Sequence, residues 1–284
     1  MTLSGRVAVV TGAARGLGRE HALLLAAKGA SVVVNDRDEG PAQDVVEEIV
    51  GAGGRAVAVP GDVAVWATGE ALVAGAVAAF GGLDVLVNNA GNVADRFLVN
   101  MSEQEWDDVV RVHLKGHFVP TRWAAAWWRE QAKATGRPVA ASVVCTSSTS
   151  GLLGNPGQSN YGAAKAGIAG FAGIAAVELA RYGVRVNTIA PLARTRLTES
   201  TPGLADVVAA PADPAAFDAW HPGNVSPLVA WLAAADCPAV GQVFLAHGGK
   251  VQLFRPWSLA GAVERDGRWS VDDLAAALGG LLTP

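Results

Sequence analysis

The chain has 284 residues, which is enough for one large domain with its own core. Apolar residues make up 51% of the chain and charged residues 17%, which excludes an intrinsically disordered protein. A formal net charge of −4 disfavours binding to a nucleic-acid backbone. The two cysteines, Cys145 and Cys237, exclude a disulfide framework and lack the spacing of a zinc site. With no leader-like start and no apolar run of membrane-spanning length, we expect a soluble, cytoplasmic protein.

Short β-branched segments alternate along the chain with longer segments rich in Ala and Leu. The predicted strands are Arg6–Thr11, Ser31–Asp36, Arg55–Pro60, Leu83–Asn88, Val139–Thr146, Val184–Ala190 and Gln242–Ala246. The predicted helices between them are Gly18–Lys28, Pro41–Val50, Thr68–Phe80, Glu103–Thr135 and Asn160–Tyr182. Several strands are apolar at successive positions, which is typical of strands buried on both faces. This alternation predicts an α/β fold: a doubly wound (Rossmann) seven-stranded parallel sheet with helices on both faces.

Two segments depart from the alternation. Leu192–Asn224 is rich in proline and has little periodicity, so we expect a long loop of the kind that often carries function. Residues 250–284 follow the last predicted strand, and we expect them to form a C-terminal extension packed on the single domain 1–249. Within the extension, Ser270 is the expected N-cap of a helix and Asp273 its third-position partner.

The first strand runs directly into a glycine-rich turn, Thr11–Gly18 (TGAARGLG), and a helix follows at once. Gly12 allows a tight turn, and Gly16 removes a Cβ where phosphates would lie. Gly18 lets the helix approach the strand closely. A turn of this kind places backbone N–H groups around a pyrophosphate at a helix N-terminus. The motif and its position therefore predict a dinucleotide-binding domain over residues 1–249.

Asp36 ends the second strand, where a carboxylate can accept hydrogen bonds from an adenosine ribose and repel a 2′-phosphate. That repulsion is worth about 1–4 kcal/mol at contact distance. Arg15 and Arg37 flank the same position and could instead hold a phosphate. We expect NAD in preference to NADP.

Two further segments are expected beside the dinucleotide. Asp62 and Val63 follow the third strand and are placed to meet the adenine ring. Asn89, Ala90 and Gly91 close the fourth strand, and Gly91 permits close approach of the backbone.

Tyr161 and Lys165 stand four residues apart, so they share one face of the predicted helix. A phenol has a pKa of about 10 and is a poor base near neutral pH. A neighbouring ammonium and a cationic nicotinamide both favour the phenolate, and lowering the pKa by about three units takes about 4 kcal/mol. Ser148 follows the fifth strand and is expected to donate a hydrogen bond to the substrate oxygen. The pattern predicts general-base chemistry at the carboxyl edge of the sheet.

Taken together, Thr11–Gly18, Asn88–Gly91, Ser148, Tyr161-x-x-x-Lys165 and Asn187…Pro191 resemble the short-chain dehydrogenase/reductases over roughly residues 5–249. The resemblance implies that Ser148, Tyr161 and Lys165 are the catalytic serine, base and lysine. The cofactor-binding residues that it implies are Gly12, Arg15, Gly16, Leu17, Gly18, Asp36, Asp62, Val63, Asn89, Ala90, Gly91, Tyr161, Lys165, Pro191 and Leu192.

A closer likeness is to the (3R)-hydroxyacyl-CoA dehydrogenase modules of peroxisomal multifunctional enzymes type 2. It rests on Val32–Asp36, Arg111–Phe118, Gly154–Lys165, Ser226–Leu232 and the tail after Gly249. The likeness implies an acyl-CoA thioester as substrate. It also sets His113 where most family members have an asparagine that supports a water chain behind the lysine. His113 is either a substitute in that relay or a helix histidine with a local partner.

The residues themselves leave other readings open. His113 and His117 could chelate a metal at their spacing of four, but no third ligand accompanies them, so we expect no metal. In the loop, Leu197, Leu204, Phe217 and Trp220 offer an apolar wall, and Arg194 and Arg196 could meet a CoA phosphate. The same wall would suit a hydroxysteroid or another secondary alcohol. A carrier-protein reductase and a non-catalytic dinucleotide sensor are the remaining alternatives.

The helix that carries Tyr161 also has Gly167, Gly170 and Gly173, which predict a flat face for helix packing across a two-fold axis. We therefore expect a homodimer or a homotetramer.

Overall fold

The computed structural model describes residues 2–195, 205–213, 215–255 and 258–282. Its strands are β1 (Val7–Thr11), β2 (Ser31–Asn35), β3 (Arg55–Ala58), β4 (Val85–Asn88), β5 (Ala141–Thr146), β6 (Val184–Leu192), β7 (Val243–His247) and β8 (Lys250–Phe254). Its helices are α1 (Gly16–Ala27), α2 (Glu39–Gly51), α3 (Trp66–Phe80), α4 (Glu103–Val110), α5 (Gly116–Thr135), α6 (Thr149–Leu152), α7 (Ser159–Leu179), α8 (Ser226–Ala233) and α9 (Val271–Leu281).

The described strands form one sheet in the order β3-β2-β1-β4-β5-β6-β7-β8. The first seven run parallel, which confirms the doubly wound α/β fold. The prediction of seven strands was one short, because β8 pairs antiparallel with β7. Only Gly248 and Gly249 separate the two strands, and Gly248 has a φ of +52°, which suits the tight turn of a hairpin.

The core explains why the strands are continuously apolar. On β2, Val32 and Val34 pack into the cluster on one face of the sheet, whereas Val33 packs into the cluster on the other face. All three side chains are fully buried. Both faces are therefore covered, as a parallel sheet requires.

The segment predicted as one helix over Glu103–Thr135 is divided in the structure. A π-helical turn at Arg111–Lys115 separates α4 from α5. Such π-bulges occur often at functional sites. The turn carries His113, and the divided helix thus brings one of the predicted site residues to the edge of the sheet.

The chain divides into two compact units, Met1–Phe254 and Arg255–Pro284. The predicted boundary after residue 249 falls five residues earlier than this division, because Lys250–Phe254 belong to the sheet. In the second unit the Ser270 hydroxyl accepts a hydrogen bond from the Asp273 N–H at 3.1 Å, as predicted for the start of α9. Packing of the extension on the catalytic domain stays a prediction.

The helical segment Ser159–Tyr182 is long and apolar enough, by length and composition, to cross a membrane. This is weak evidence for a span, because core helices of globular proteins have the same properties. Ile168, Ala172 and Leu179 on this segment are buried in the core beside the sheet.

Acid should destabilise the fold through its buried histidines. Burial lowers the pKa of His21, whose Nδ1 lies 2.8 Å from the Ser226 hydroxyl, to about 3. The unfolded chain has an ordinary histidine pKa near 6.5, so it binds the proton first and stability falls as the pH drops from about 6.5 towards 3. Between pH 7.5 and pH 5.5 the free energy of unfolding, measured with urea, should fall by about 1.4 kcal/mol less in His21→Asn than in the wild type. Equal losses in the two proteins would contradict a neutral His21.

Candidate active site

The glycine-rich turn has the close contacts that its sequence predicts. Gly12 has a φ of +62°, and an added Cβ there would lie 2.7 Å from the Ala90 Cα. At Gly18 an added Cβ would overlap the carbonyl oxygen of Gly12. Gly16 has a φ of +54°, a backbone conformation that favours glycine. The loop thus lies directly against the end of β4 and the start of α1.

Asn89 and Thr11 hold the two neighbouring loops together. The Asn89 side-chain amide donates to the carbonyl oxygens of Thr11 and Gly12 at 3.0 and 3.1 Å. The Thr11 hydroxyl accepts from the backbone N–H groups of Asn89 and Ala90 at 3.0 and 3.2 Å. Asn89 was predicted beside the dinucleotide. In the structure its side-chain amide stabilises the conformation of the glycine loop.

Asp36 lies at the end of β2 beside the glycine loop. Its carboxylate accepts hydrogen bonds from the Ala14 and Asp38 N–H groups, each at 3.2 Å. Arg15 pairs with Asp38 at 3.1 Å, and Arg37 approaches the same carboxylate at 3.9 Å. Both cations that could have received a 2′-phosphate are therefore next to a second acid, Asp38, which the sequence reasoning did not single out.

Asp62 and Val63 line a cavity that Asp36 also lines. Asp62 accepts from the Ala64 N–H at 2.9 Å and pairs with Arg111 at 2.8 Å. Burial raises the pKa of Asp62, but the hydrogen bonds from Ala64 and Arg111 outweigh it and the net shift is downward. Asp62 is therefore ionised near neutral pH, and it links the end of β3 to the π-helical turn.

A cavity of about 630 Å³ connects the glycine loop with the start of α7. The predicted residues on its wall are Gly12, Arg15, Gly16, Leu17, Asp36, Asp62, Val63, Asn89, Ala90, Gly91, His113, Tyr161, Lys165 and Pro191. Among the described residues, Gly18, Leu192 and Ser148 were predicted at the site but fall outside this wall. Asn35, Asp38, Arg111 and Ser147 line the cavity without having been predicted.

Tyr161 and Lys165 meet on the first turns of α7. The Lys165 Nζ lies 5.5 Å from the centroid of the Tyr161 ring and donates to the Thr146 carbonyl at 2.7 Å. The His113 ring contacts the Tyr161 ring edge-on, with 5.1 Å between the centroids. The start of α7 is fixed by Asn160, whose side-chain amide donates to the carbonyl oxygens of residues 94 and 105.

Burial dominates the acid–base properties of the pair. It raises the pKa of Tyr161, and a hydrogen bond from Ser148 acts in the opposite direction. It lowers the pKa of Lys165 to about 7. The protein groups by themselves thus oppose formation of the phenolate.

Ser148 is the N-cap of the short helix α6, where its hydroxyl accepts from the Ser150 N–H at 3.2 Å. It acts to lower the pKa of Tyr161, which indicates that it is near the predicted base even though it is not part of the cavity wall. The serine was found in the sequence from its place between β5 and Tyr161.

His113 lies between Tyr161 and the loop after β4. Its Nε2 is 2.6 Å from the Asn92 carbonyl oxygen, and it is fully buried. An added Cβ at Gly91 would overlap the His113 ring, so the glycine makes room for the imidazole. Burial is the largest of the causes that hold the pKa of His113 well below its usual value. The histidine therefore contacts the base as a neutral ring.

The sequence places His113 and His117 at a spacing that could chelate a metal. Among the residues that the structure describes, no group of three or more His, Cys, Asp or Glu side chains could hold a metal ion. His113 and His117 each have ring nitrogens within hydrogen-bonding distance of backbone groups.

The loop after β6 is described only in part. Leu197, Leu204 and Arg196, predicted as substrate contacts, lie outside the described residues. Arg194 forms an ion pair with Asp218 and donates to the Val208 carbonyl, so it holds the loop together. Trp220 packs on His247 with ring centroids 4.4 Å apart, while Phe217 is largely exposed.

Comparison with known proteins gives a family match and close relatives. A model of the short chain dehydrogenase family matches residues 6–202. The chain is 50% identical over 285 residues to a hydroxyacyl-CoA dehydrogenase, ChsB1, of Mycobacterium tuberculosis, covering 97% of this chain and 88% of that protein. It is 42% identical over 278 residues to peroxisomal multifunctional enzyme type 2 of Drosophila melanogaster, covering 95% of this chain and 43% of that larger protein.

A solved structure is similar over nearly the whole chain. The crystal structure of a short chain dehydrogenase from Mycobacterium avium has a TM-score of 0.89 and 47% sequence identity. The match covers 99% of this chain and 96% of that one.

Proposed function

The chain belongs to the short-chain dehydrogenase/reductase family and is an NAD(P)-dependent oxidoreductase acting on a CH–OH group, and we propose that it oxidises the 3-hydroxyl of a 3-hydroxyacyl-CoA with NAD. The observation that carries the proposal is the adjacency of Tyr161 and Lys165 in the cavity that the glycine loop opens. The hydroxyacyl-CoA dehydrogenase name of a 50% identical relative supports the substrate class.

The glycine loop suits a dinucleotide, because the absence of side chains at Gly12 and Gly18 lets the loop pack closely on the Ala90 backbone and on the start of α1. Gly16 and Leu17 would bring N–H groups at the start of α1 towards the pyrophosphate. Asp36 would accept from the ribose hydroxyls and Asp62 from the adenine. When bound, NAD supplies the acceptor for the hydride that leaves C3.

In the proposed reaction Tyr161 takes the hydroxyl proton as the C3–H bond breaks, and the C–O bond becomes a carbonyl. Ser148 orients the oxygen through its place beside the Tyr161 phenol. Lys165 stabilises the phenolate when it is charged and would hold the nicotinamide ribose. The neutral His113 ring packs on the edge of Tyr161 and fixes its orientation.

The reaction is tested by following NADH formation from NAD over (3R)- and (3S)-hydroxyacyl-CoA thioesters, from short chains to steroid-sized acyl groups. Turnover of one enantiomer supports the proposal. Binding of NAD with no turnover of any thioester would overturn the substrate class and favour another secondary alcohol.

The cofactor preference depends on the charge of Asp36. Asp36→Asn should shift the ratio of kcat/KM with NADP to kcat/KM with NAD by about 10-fold or more towards NADP, because the variant no longer repels a 2′-phosphate. Asp44→Asn, an exposed residue of α2, is the matched control and should leave the ratio unchanged. A wild type that uses NADP as well as NAD would refute the assignment.

We also propose that the protein is a homodimer built on α5 and α7. A groove of about 700 Å³ runs between these helices. On α7, Ile174 is 63% exposed and Val177 80% exposed, and a Cβ added at Gly170 or Gly173 would meet nothing within 4 Å. Gly167, predicted on the same flat face, instead packs against Leu114 inside the protein.

Light scattering should give a mass at least twice the 29.0 kDa of one chain. Val177→Glu should shift it towards the monomer, because a charge buried in an apolar interface is costly. Glu47→Gln on α2 is a surface control. A monomeric wild type would remove the proposal.

A further inference from the structure

His117 is a fully buried histidine to which the proposed reaction gives no part. It lies on the first turn of α5, with 1% of its surface exposed. Its Nδ1 is 2.7 Å from the carbonyl oxygen of His113, and its Nε2 is 3.2 Å from the backbone nitrogen of Thr146. Both partners belong to segments that form the active site.

These two contacts define which nitrogen of His117 carries the proton. A carbonyl oxygen can only accept a hydrogen bond, so Nδ1 must be the donor to His113. The backbone N–H of Thr146 can only donate, so Nε2 must be the bare nitrogen that accepts from it. Burial, together with the charge of Lys165, lowers the pKa of His117 to about 3, and the backbone groups of His113, Asn88 and Thr146 act in the opposite direction. The ring is therefore neutral and has a single tautomer.

Thr146 is the residue through which His117 acts on the catalytic group. It is the last residue of β5 and lies one position beyond the last pair between β4 and β5, Asn88 with Cys145. On its other side Thr146 pairs with Ile189 of β6. Its carbonyl oxygen accepts the 2.7 Å hydrogen bond from the Lys165 Nζ. The N–H and the C=O of this residue are thus contacted by two side chains from different helices.

We propose that His117 is a positioning residue for Lys165. Its ring joins the carbonyl of the π-helical turn to the end of β5, and it thereby fixes the Thr146 carbonyl on which the lysine nitrogen rests. The proposal rests on the proposed function, in which Lys165 acts on Tyr161. The proposal assigns a role to His117, which the sequence analysis considered only as a possible metal ligand together with His113.

The surroundings of His117 suit this task. The titratable groups near it are Lys165 on α7, His113 on the π-helical turn and Cys145 on β5, and burial keeps the histidines and the cysteine uncharged. The Asn88 amide donates to the Thr121 hydroxyl at 2.8 Å on the next turn of α5. Of His117 and these three neighbours, Lys165 is therefore the only group that titrates near neutral pH.

The experiment compares His117→Leu, which removes both hydrogen bonds, with His117→Gln, which keeps a donor and an acceptor on one side chain. We expect His117→Leu to lower kcat by about 10-fold or more, because small misplacements at a catalytic group have large effects. We expect His117→Gln to recover at least part of kcat. The pH profile of kcat should shift in His117→Leu, since the Thr146 carbonyl that accepts from Lys165 is no longer held in place by the ring.

The control is His21→Leu, which removes a fully buried histidine that lies away from the cavity. It should lower stability without changing kcat or its pH profile. If His117→Leu does not fold, His117→Gln decides: a kcat and a pH profile close to those of the wild type support the proposal when the wild-type His117 ring is found as the Nδ1–H tautomer, and a kcat lowered by about 10-fold or more in a folded His117→Gln overturns it. A folded His117→Leu with kcat within two-fold of the wild type overturns the proposal.

The tautomer is measured without turnover, by side-chain ¹⁵N NMR of the whole protein between pH 6 and pH 8. The expected result is a non-titrating Nδ1–H signal that disappears in His117→Gln. A titrating ring or an Nε2–H tautomer would overturn the proposal. Because this measurement needs no substrate, failure of the proposed reaction can be told apart from failure of the positioning role.

Discussion

Tyr161→Phe should lower kcat by about 100- to 10,000-fold, the usual contribution of a positioned general base. The phenol oxygen is the proton acceptor in the proposed reaction, and phenylalanine keeps the ring while removing that oxygen. The ring also contacts His113 and lies 5.5 Å from the Lys165 nitrogen, so the variant should fold and bind NAD normally. The measurement is the initial rate of NADH formation, with NAD binding followed separately.

The chain provides a matched control, because Tyr182 is its only other tyrosine. Tyr182→Phe removes the same oxygen outside the cavity and should leave kcat unchanged. If Tyr161→Phe kept more than a few per cent of wild-type kcat, another group would have to accept the proton. A loss in Tyr161→Phe that came with loss of NAD binding would point to a positional effect instead.

The size of this effect depends on how the charge around Tyr161 is arranged. Burial raises the pKa of the phenol and lowers that of Lys165 to about 7, so the lysine is only partly charged at neutral pH. Each unit of pKa corresponds to about 1.4 kcal/mol. Of the two positive charges expected beside the phenol, the nicotinamide would therefore contribute more to the phenolate than Lys165 in the proposed reaction. Groups that orient Lys165, such as the Thr146 carbonyl, matter correspondingly more.

Features that depend on neighbouring residues were predicted from the sequence. The glycine loop, the Tyr161 and Lys165 pair and the N-cap at Ser270 each involve residues within a few positions of one another. The alternation of strands and helices likewise gave the doubly wound sheet. Such local patterns can be recognised in the sequence because the residues that determine the backbone conformation lie within the same short segment.

Features that depend on contacts between distant segments were missed. Asn89 holds Gly12 across 77 positions of the chain, and Asp62 pairs with Arg111 across 49. Two local features were missed as well: β8 (Lys250–Phe254) was assigned to the extension, although the Gly248–Gly249 pair between it and β7 is a hairpin signal. The π-helical turn at Arg111–Lys115 was missed because its residues have ordinary helix-forming side chains. The spacing of residues in the sequence does not identify hydrogen-bond and ion-pair partners that only the folded chain brings together.

Gly18→Ala should be the most damaging change in the glycine loop. A Cβ at this position would overlap the Gly12 carbonyl oxygen and lie 2.5 Å from the Asn89 side-chain nitrogen, which itself donates to that carbonyl. The contacts are with backbone and with a hydrogen-bonded amide, so the loop has to move. We expect the free energy of unfolding to fall by about 1–3 kcal/mol and the Kd for NAD to rise by about 10-fold or more, since the loop N–H groups lose their geometry.

Gly51→Ala is the control that separates this steric effect from a general effect of adding a methyl group to a helix. Gly51 is the last residue of α2, and a Cβ there would meet nothing within 4 Å. Alanine in a helix is favoured over glycine by about 0.5–1 kcal/mol, so this variant should be as stable as the wild type or more so. Urea unfolding and NAD titration of the two variants decide the matter. Normal NAD affinity in Gly18→Ala would mean that α1 can move away from β1 without disturbing the loop. The close contact at Gly18 would then contribute to packing and not to cofactor binding.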